Sequence, residues 1–191
     1  PSAERDVRRR LNIRVTDEIV AALNERRIVM AYEPVVAVAT REVAFHDCLV
    51  RMRQEDGEYG LPPDIVPVAE RLGLIRLVDH RVLELVVDEL AADPSVRLSL
   101  NISPDTTMDP DWWARWEALM RAHPGVAERM IVEITETVAI QDIDDLRGFV
   151  TRLKNFGSRI AIDDFGAGYT SFRNLRRLGV DIVKIDGAFV Q

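Results

Sequence analysis

Short apolar segments and amphipathic segments alternate along most of this chain, and this alternation constrains the fold more than any other feature. Predicted strands lie at 96–103, 130–135, 159–163 and 181–186, and predicted helices lie at 65–91, 110–123, 143–156 and 171–178. The first of these helical stretches is one helix, or two helices broken near Gly73. A strand, a crossover helix and the next strand place the two strands parallel in one sheet. The sequence therefore predicts an α/β fold with a parallel sheet.

The segment before this alternation has a different pattern. Residues 28–39 and 42–51 are rich in valine and alanine, and only the Thr40-Arg41 link separates them. We expect two strands that form an antiparallel hairpin. Further upstream, apolar residues at helical spacing predict a helix from about residue 3 to residue 27. These residues are Val7, Leu11, Val15, Ile19, Val20 and Leu23.

Charge and cysteine content exclude several classes of protein. The formal net charge of −7 argues against binding to a nucleic-acid polymer, which normally requires a basic surface. The single Cys48 excludes an internal disulfide, and no Cys/His cluster indicates a zinc site. No signal peptide and no apolar run of membrane-spanning length is visible. We expect a cytoplasmic domain, either free or as the cytoplasmic part of a larger, membrane-associated protein.

Polar residues lie at comparable depth near the ends of the predicted strands. Asn101, Glu133 and Asp163 end three strands, and Lys184 lies on a fourth. Each of these residues alone is best explained as a solvated strand end. Four of them together indicate a functional site, because α/β barrels have their active sites at these strand ends. Asp163 is followed by Asp164, and adjacent carboxylates of this kind require a shared cation. Their side chains can converge only where the strand breaks, which suits a divalent metal site.

Seven segments, in order and over residues 28–191, resemble the EAL domain family, phosphodiesterases that open the bacterial second messenger cyclic di-GMP. The segments are Tyr32-Glu-Pro-Val-Val36, Asp47-Cys-Leu-Val-Arg51, Pro67-Val-Ala-Glu-Arg-Leu-Gly-Leu-Ile75, Leu100-Asn-Ile-Ser103, Glu133-Ile-Thr-Glu136, Asp163-Asp-Phe-Gly-Ala-Gly-Tyr-Thr-Ser171 and Lys184-Ile-Asp186. The resemblance implies a TIM-like (βα)8 barrel with an antiparallel first strand over residues 28–191, here without its last strands and helices.

The resemblance also implies the organisation around this barrel. Residues 1–27 look like a helical connector from an upstream GGDEF or sensory domain, and a homodimer is a further expectation. A closed barrel of this kind needs about 250 residues, and an unclosed one exposes a strand edge. We therefore expect either a fragment of a longer protein or a partner that covers the edge.

By this resemblance, the reaction is two-metal hydrolysis of cyclic di-GMP with Mg²⁺ or Mn²⁺, giving linear pGpG. Asp163 would bridge the two metals, and Lys184 would orient or deprotonate the attacking water. The resemblance implies metal ligands at Asp47, Asn101, Glu133, Asp163 and Asp164, substrate-binding positions at Arg51, Glu33 and Asp186, and support of a covering loop by Glu136, Gly166 and Gly168. Oxygen ligands of this kind select Mg²⁺ or Mn²⁺ over zinc.

Three positions depart from the family pattern. Asp47 replaces a glutamate, so its carboxylate falls about 1 Å short of the expected position. Glu33 replaces a glutamine near the phosphate site, and Gly187 replaces an arginine. Asp47 and Glu33 favour an alternative function, a non-catalytic receptor for cyclic di-GMP. A protein-interaction scaffold without a nucleotide is the third possibility.

Overall fold

A computed structural model describes residues 2–54, 56–60, 65–135, 143–165 and 172–185. The helices are α1 Ser2–Asn24, α2 Ile65–Arg71, α3 Ile75–Ala92, α4 Pro104–Thr107, α5 Pro110–Ala122, α6 Ile143–Asn155 and α7 Phe172–Leu178, with a short 3-10 helix at Ala127–Arg129. The strands are β1 Ile28–Val36, β2 Val43–Arg53, β3 Tyr59–Gly60, β4 Leu98–Asn101, β5 Met130–Thr135, β6 Arg159–Phe165 and β7 Ile182–Ile185. Among the described residues, no helix is both long and apolar enough to cross a membrane.

The described strands form one sheet in the order β1-β2-β4-β5-β6-β7, with β3 beside β2. β1 pairs antiparallel with β2, whereas β2, β4, β5, β6 and β7 run parallel to one another. Helices connect the parallel strands from β4 onward, as crossover connections require. The α/β fold with an antiparallel first strand is therefore confirmed.

The two faces of the sheet carry different apolar clusters. The outer face and the helices form the main core, which includes Leu83 of α3 and Leu100 of β4, both fully buried. The inner face carries a much smaller cluster, which we call the apolar floor. It consists of Phe45, Ile131 and Ala161, with Val35 and Ile182 packed against them.

Several predicted boundaries were right and others were wrong. The helical stretch after residue 65 is broken as predicted, because Gly73 has φ +69 and separates α2 from α3. The strand predicted at 96–103 is shorter, Leu98–Asn101. The chain turns at Ser103, and Pro104 begins the unpredicted helix α4 because its fixed φ suits the first helical turn.

The buried stripe of α1 also differs from the prediction. Val15, Ile19 and Ala22 are at most 1% exposed and belong to the main core. Val7 and Val20 were predicted on this stripe, but they are 67% and 41% exposed. Residues 4–10 are exposed on every side of the helix. Only the second half of α1 therefore packs into the main core.

Candidate active site

A layer of polar side chains lies on the inner face of the sheet, directly above the apolar floor. Side chains two residues apart on a strand share a face. Each polar residue of the layer follows a floor residue by two positions. These pairs are Phe45 and Asp47, Ile131 and Glu133, Ala161 and Asp163, and Ile182 and Lys184. Because the four strands run parallel, their polar side chains meet toward the carboxyl end of the sheet.

Lys184 lies at the centre of this layer. Its Nζ donates hydrogen bonds to Asp47 Oδ2 at 2.7 Å and to Glu133 Oε2 at 2.8 Å. Asp163 Oδ2 is 3.6 Å from the same nitrogen. Of the 25 basic residues of the chain, only Lys154 and Lys184 are lysines. A compact ammonium can face three carboxylates at once, which a planar guanidinium does less well.

Asp47 is held from two sides. Ser99, which is completely buried, donates its hydroxyl to Asp47 Oδ1 at 3.0 Å. The other oxygen of Asp47 accepts from Lys184, so both oxygens are engaged. The sequence prediction missed Ser99, although its position two residues before Asn101 puts it on the inner face. Glu33 lies opposite Asp47 in the register of β1 and β2, so it shares that face, and it is exposed.

Burial and mutual charge shift two pKa values in this layer. Burial is the largest effect on the pKa of Glu133 and raises it, the hydrogen bond from Lys184 lowers it, and the charge of Asp47 raises it by less; the net pKa is raised. Burial lowers the pKa of Lys184, but its hydrogen bonds to Asp47 and Glu133 together raise it above its usual value. The arrangement therefore favours the charged ammonium of Lys184.

The predicted metal site is only partly supported by the geometry. The donor set is entirely oxygen, which suits Mg²⁺ or Mn²⁺. Glu133 Oε1 is buried and accepts no hydrogen bond from the part of the chain that the structure describes, so its ligand capacity is unused there. However, no three His, Cys, Asp or Glu side chains in the described ranges are spaced to share a metal ion. The ligand types fit, whereas the carboxylate positions are those of partners to an ammonium.

Asp163 and Asp164 both lie within β6, which extends to Phe165, whereas the sequence predicted that the strand ends at Asp163. Ile162 pairs with Val183 and Phe165 with Ile185, so two residues of β6 lie opposite Lys184 alone. This irregularity is a β-bulge, and bulges re-aim side chains next to active sites. The strand alternation that would separate the two aspartates is therefore interrupted at this point. The Asp164 side chain itself lies outside the described part of the structure.

Asn101 and Arg51 line a cavity of about 270 Å³ beside the polar layer. Asn101 pairs with Glu133 in the register of β4 and β5, and its side chain is exposed. Arg51 is partly buried and donates to the carbonyl oxygen of Val50 at 2.9 Å. Apolar side chains form most of the remaining wall, among them Leu49 and Ile102. The structure thus places both predicted residues at one cleft, whose lining does not include Asp47, Glu133, Asp163 or Lys184.

Four predicted site residues lie outside the described residues: Glu136, Gly166, Gly168 and Asp186. Their roles in the covering loop and in substrate binding stay predictions.

Two neighbours of Asp47 lie on the outer face of the sheet. His46 lines a separate groove with Tyr32 and Glu89. Cys48 is 2% exposed in the main core and also lines the cavity of Asn101 and Arg51, and burial raises the pKa of its thiol to about 12.

The EAL domain family model matches residues 16–191 of this chain. The cyclic di-GMP phosphodiesterase PdeF of Escherichia coli (strain K12) is 28% identical over 183 residues, which cover 94% of this chain and 24% of PdeF. The chain therefore spans about a quarter of the length of this relative.

Two solved structures are similar in fold. The PaMucR phosphodiesterase in complex with c-di-GMP has a TM-score of 0.84 at 25% identity, and the match covers 93% of this chain and 74% of that one. The FimX EAL domain from Pseudomonas aeruginosa bound to c-di-GMP has a TM-score of 0.83 at 23% identity, and the match covers 94% and 73%. At that identity, the FimX likeness bears on the fold alone.

Proposed function

The chain belongs to the EAL domain family, and from that premise we propose that it hydrolyses cyclic di-GMP to linear pGpG in bacterial second-messenger signalling, with Mg²⁺ or Mn²⁺ as cofactor. The observation that carries the proposal is the convergence of Asp47, Glu133 and Asp163 on Lys184 above the apolar floor. Burial of charged groups is costly, and a buried carboxylate with a raised pKa, such as Glu133, is typical of active sites.

The proposed metal ligands are the carboxylates of the layer together with Asn101 and Asp164. Asp47, Asn101, Glu133 and Asp163 would hold the first cation, and Asp163 and Asp164 would hold the second. Divalent cations bound there supply Lewis-acid polarisation of the phosphodiester and acidify water. Glu133 Oε1 supports this role, because it is a buried acceptor with no hydrogen-bond donor among the described residues.

The remaining groups bind the substrate and orient water. The Arg51 guanidinium would bind a phosphate of the ligand, since charge-assisted hydrogen bonds to phosphate favour arginine. The apolar wall of the adjoining cavity suits a purine face. Lys184 would donate a hydrogen bond that orients the attacking water.

In the reaction itself, one water O–H bond and one P–O3′ bond break, and one P–O bond forms. The released 3′-oxygen takes up a proton through solvent, and the product carries a 5′-phosphate. Neither step changes an oxidation state, so water is the only co-reactant.

A second candidate is a receptor that binds cyclic di-GMP without cleaving it. The observation that favours it is the state of Asp47, whose two oxygens are engaged by Ser99 and Lys184. Its short side chain would have to leave the ammonium to reach a cation. A receptor needs only the phosphate and base contacts of the cleft.

Binding and turnover measured together separate the two functions. The protein is incubated with cyclic di-GMP and Mn²⁺ or Mg²⁺, pGpG is quantified by chromatography, and affinity is measured by calorimetry. Glu133→Gln is the test variant. Glu42→Gln is its matched control, because Glu42 is exposed in the hairpin turn directly before β2. If the protein is an enzyme, we expect Glu133→Gln to lower the rate of pGpG formation at least about a hundredfold and Glu42→Gln to leave it unchanged.

The other outcomes are equally informative. Binding without pGpG in the parent protein supports the receptor and contradicts the enzyme. If the parent protein shows neither binding nor turnover, both functions are contradicted and the protein-interaction scaffold remains.

A further inference from the structure

The chain that follows Asn101 is tied to α3 by one buried carboxylate. Asp79 of α3 is 5% exposed. Its Oδ2 accepts hydrogen bonds from the Ser103 backbone N–H at 2.9 Å, the Ser103 hydroxyl at 2.7 Å and the Thr106 hydroxyl at 2.6 Å. Ser103 and Thr106 lie directly after β4, at the start of α4. The turn that follows Asn101 therefore rests on Asp79.

Capping of α4 alone does not account for this arrangement. Ser103 occupies the N-cap position of α4, where its hydroxyl would ordinarily accept from the helix's own backbone. In this structure the Ser103 side chain makes no such cap. Its hydroxyl donates instead to Asp79, which is 24 residues away in sequence. A local interaction is thus given up for one that fixes the turn against α3.

Burial of the Asp79 carboxyl group has an energetic cost that its hydrogen bonds must offset. Burial raises the pKa of Asp79, and the hydrogen bonds from Thr106 and Ser103 act in the opposite direction. A neutral asparagine or serine could satisfy a simple cap without that desolvation cost. A carboxylate oxygen, however, accepts stronger hydrogen bonds than a neutral oxygen, and Asp79 Oδ2 holds its three donors in one geometry.

The position of Asn101 depends on both neighbouring attachments. On one side of the turn, the Ile102 N–H donates to the Glu133 carbonyl oxygen at 3.1 Å. On the other, Ser103 is held by Asp79. Asp79 and Ser103 also line the same cavity as Asn101. Consecutive backbone groups after Asn101 are therefore anchored to β5 and to α3.

We propose that Asp79 is a positioning residue that acts through Asn101. It fixes the turn between β4 and α4, so that the Asn101 carboxamide stays at the edge of the cleft beside Glu133. The effect of Asp79 on metal and ligand affinity rests on the function proposed above, whereas its effect on the Asn101 geometry does not. A role in stability alone would leave the Asn101 side chain unchanged in the folded protein.

The test compares Asp79→Ala with Asp109→Ala. Asp109 is also 5% exposed, and its side chain also accepts from a helix N-terminus, but that helix is α5. Its backbone N–H donates to the Thr106 carbonyl oxygen at 3.1 Å, and Asp109→Ala keeps this contact because it removes the side chain alone. The first readout is the side-chain amide signal of Asn101 in ¹H–¹⁵N spectra of the metal-free protein, assigned with Asn101→Ala. We expect Asp79→Ala to shift or broaden this signal and Asp109→Ala to leave it in place.

The second readout is Mn²⁺ affinity in a double-mutant cycle with Asn101→Ala. Removal of a supporting residue of this kind typically costs about tenfold or more in metal affinity. We expect that loss for Asp79→Ala, and no additional loss when Asn101→Ala is already present, because the two residues act as one unit. Fully additive losses, or an unchanged Asn101 signal, would overturn the proposal.

The two readouts keep this proposal separate from the proposed function. If the parent protein binds neither Mn²⁺ nor cyclic di-GMP, the proposed function fails, and the Asn101 signal alone decides the role of Asp79. If Asp79→Ala does not fold, Ser103→Ala tests the same contact from the other side, because it removes one donor and leaves two. The same shift of the Asn101 signal is expected, and its absence would count against the proposal.

Discussion

Replacement of Lys184 by methionine should destabilise the metal-free protein strongly, because it removes the cation shared by three carboxylates. Lys184 Nζ is within 2.8 Å of Asp47 and Glu133 and 3.6 Å from Asp163. Methionine has a similar length and no charge. Glu133, whose side chain is completely buried, then keeps its charge without compensation.

The expected magnitude follows from this burial. Removal of one partner from a buried ion pair costs about 3–5 kcal/mol. Because the side chains of Lys184 and Asp163 are 24% and 27% exposed, solvent screens part of the loss. We therefore expect the lower end, about 3 kcal/mol of unfolding free energy at pH 7. Lys154→Met is the matched control, since Lys154 pairs with Asp181 at a 38% exposed site, where pairs contribute about 0–1 kcal/mol.

The loss in Lys184→Met should shrink as the pH falls. The pKa of Glu133 is already raised in the folded protein, and loss of the ammonium raises it further. A carboxyl group with a raised folded pKa binds more protons when folded, so stability falls as pH rises from the unfolded pKa through the folded one. Lowering the pH from 7 to 6 should therefore restore up to about 1.4 kcal/mol.

In the parent protein, the contribution of Lys184 to stability should not change between pH 6 and pH 7. The pKa of Lys184 is raised above its usual 10.5, so its contribution is fully present below that value and is lost only as the pH rises through the folded pKa. Urea unfolding in EDTA at pH 7 and pH 6, followed by tryptophan fluorescence, measures both effects. A loss no larger than that of Lys154→Met, or one independent of pH, would refute the argument that Lys184 balances a buried charge.

Two other substitutions test the site and the fold. Asp47→Glu should raise the rate of pGpG formation by about tenfold to a hundredfold, because a misplacement of about 1 Å can cost that much, and an unchanged or lower rate in the chromatographic assay would contradict it. Gly157→Ala should reduce the free energy of unfolding by more than about 1 kcal/mol, because Gly157 has φ +95 and an added Cβ would lie 2.9 Å from a neighbouring side-chain carbon. Gly148→Ala in α6 is its control in the same urea titration, and it should be neutral or stabilising because nothing lies within 4 Å of its added Cβ. Equal effects of the two glycine substitutions would contradict the strain assigned to Gly157.

The position of polar residues at the ends of predicted parallel strands made most of the site predictable. The carboxyl ends of parallel strands lie at one edge of the sheet, so residues there are neighbours whatever their sequence separation. Glu133, Asp163 and Lys184 were placed together on this basis, and the structure brings them within ion-pair distance. The antiparallel first strand was predictable for a similar reason, because a short link between two strands permits only a hairpin.

The supporting residues were not predictable, because only tertiary contacts define them. Ser99 reaches Asp47 across 52 positions, and Asp79 reaches Ser103 across 24. In the sequence, Asp79 is one polar residue in an amphipathic helix, and nothing local indicates that it is buried. The bulge at Asp163 and Asp164 was also missed, since it depends on the pairing of β6 with β7.

The time course of cyclic di-GMP in ³¹P NMR, with the parent protein and Mg²⁺, tests the central claim most directly. A phosphodiesterase site at Asp47, Glu133, Asp163 and Lys184 predicts that the phosphodiester signal gives way to one phosphomonoester and one phosphodiester, as in pGpG. The conversion should stop on addition of EDTA. A phosphodiester signal that shifts or broadens with protein but never converts would contradict the hydrolytic function and assign this site to binding alone.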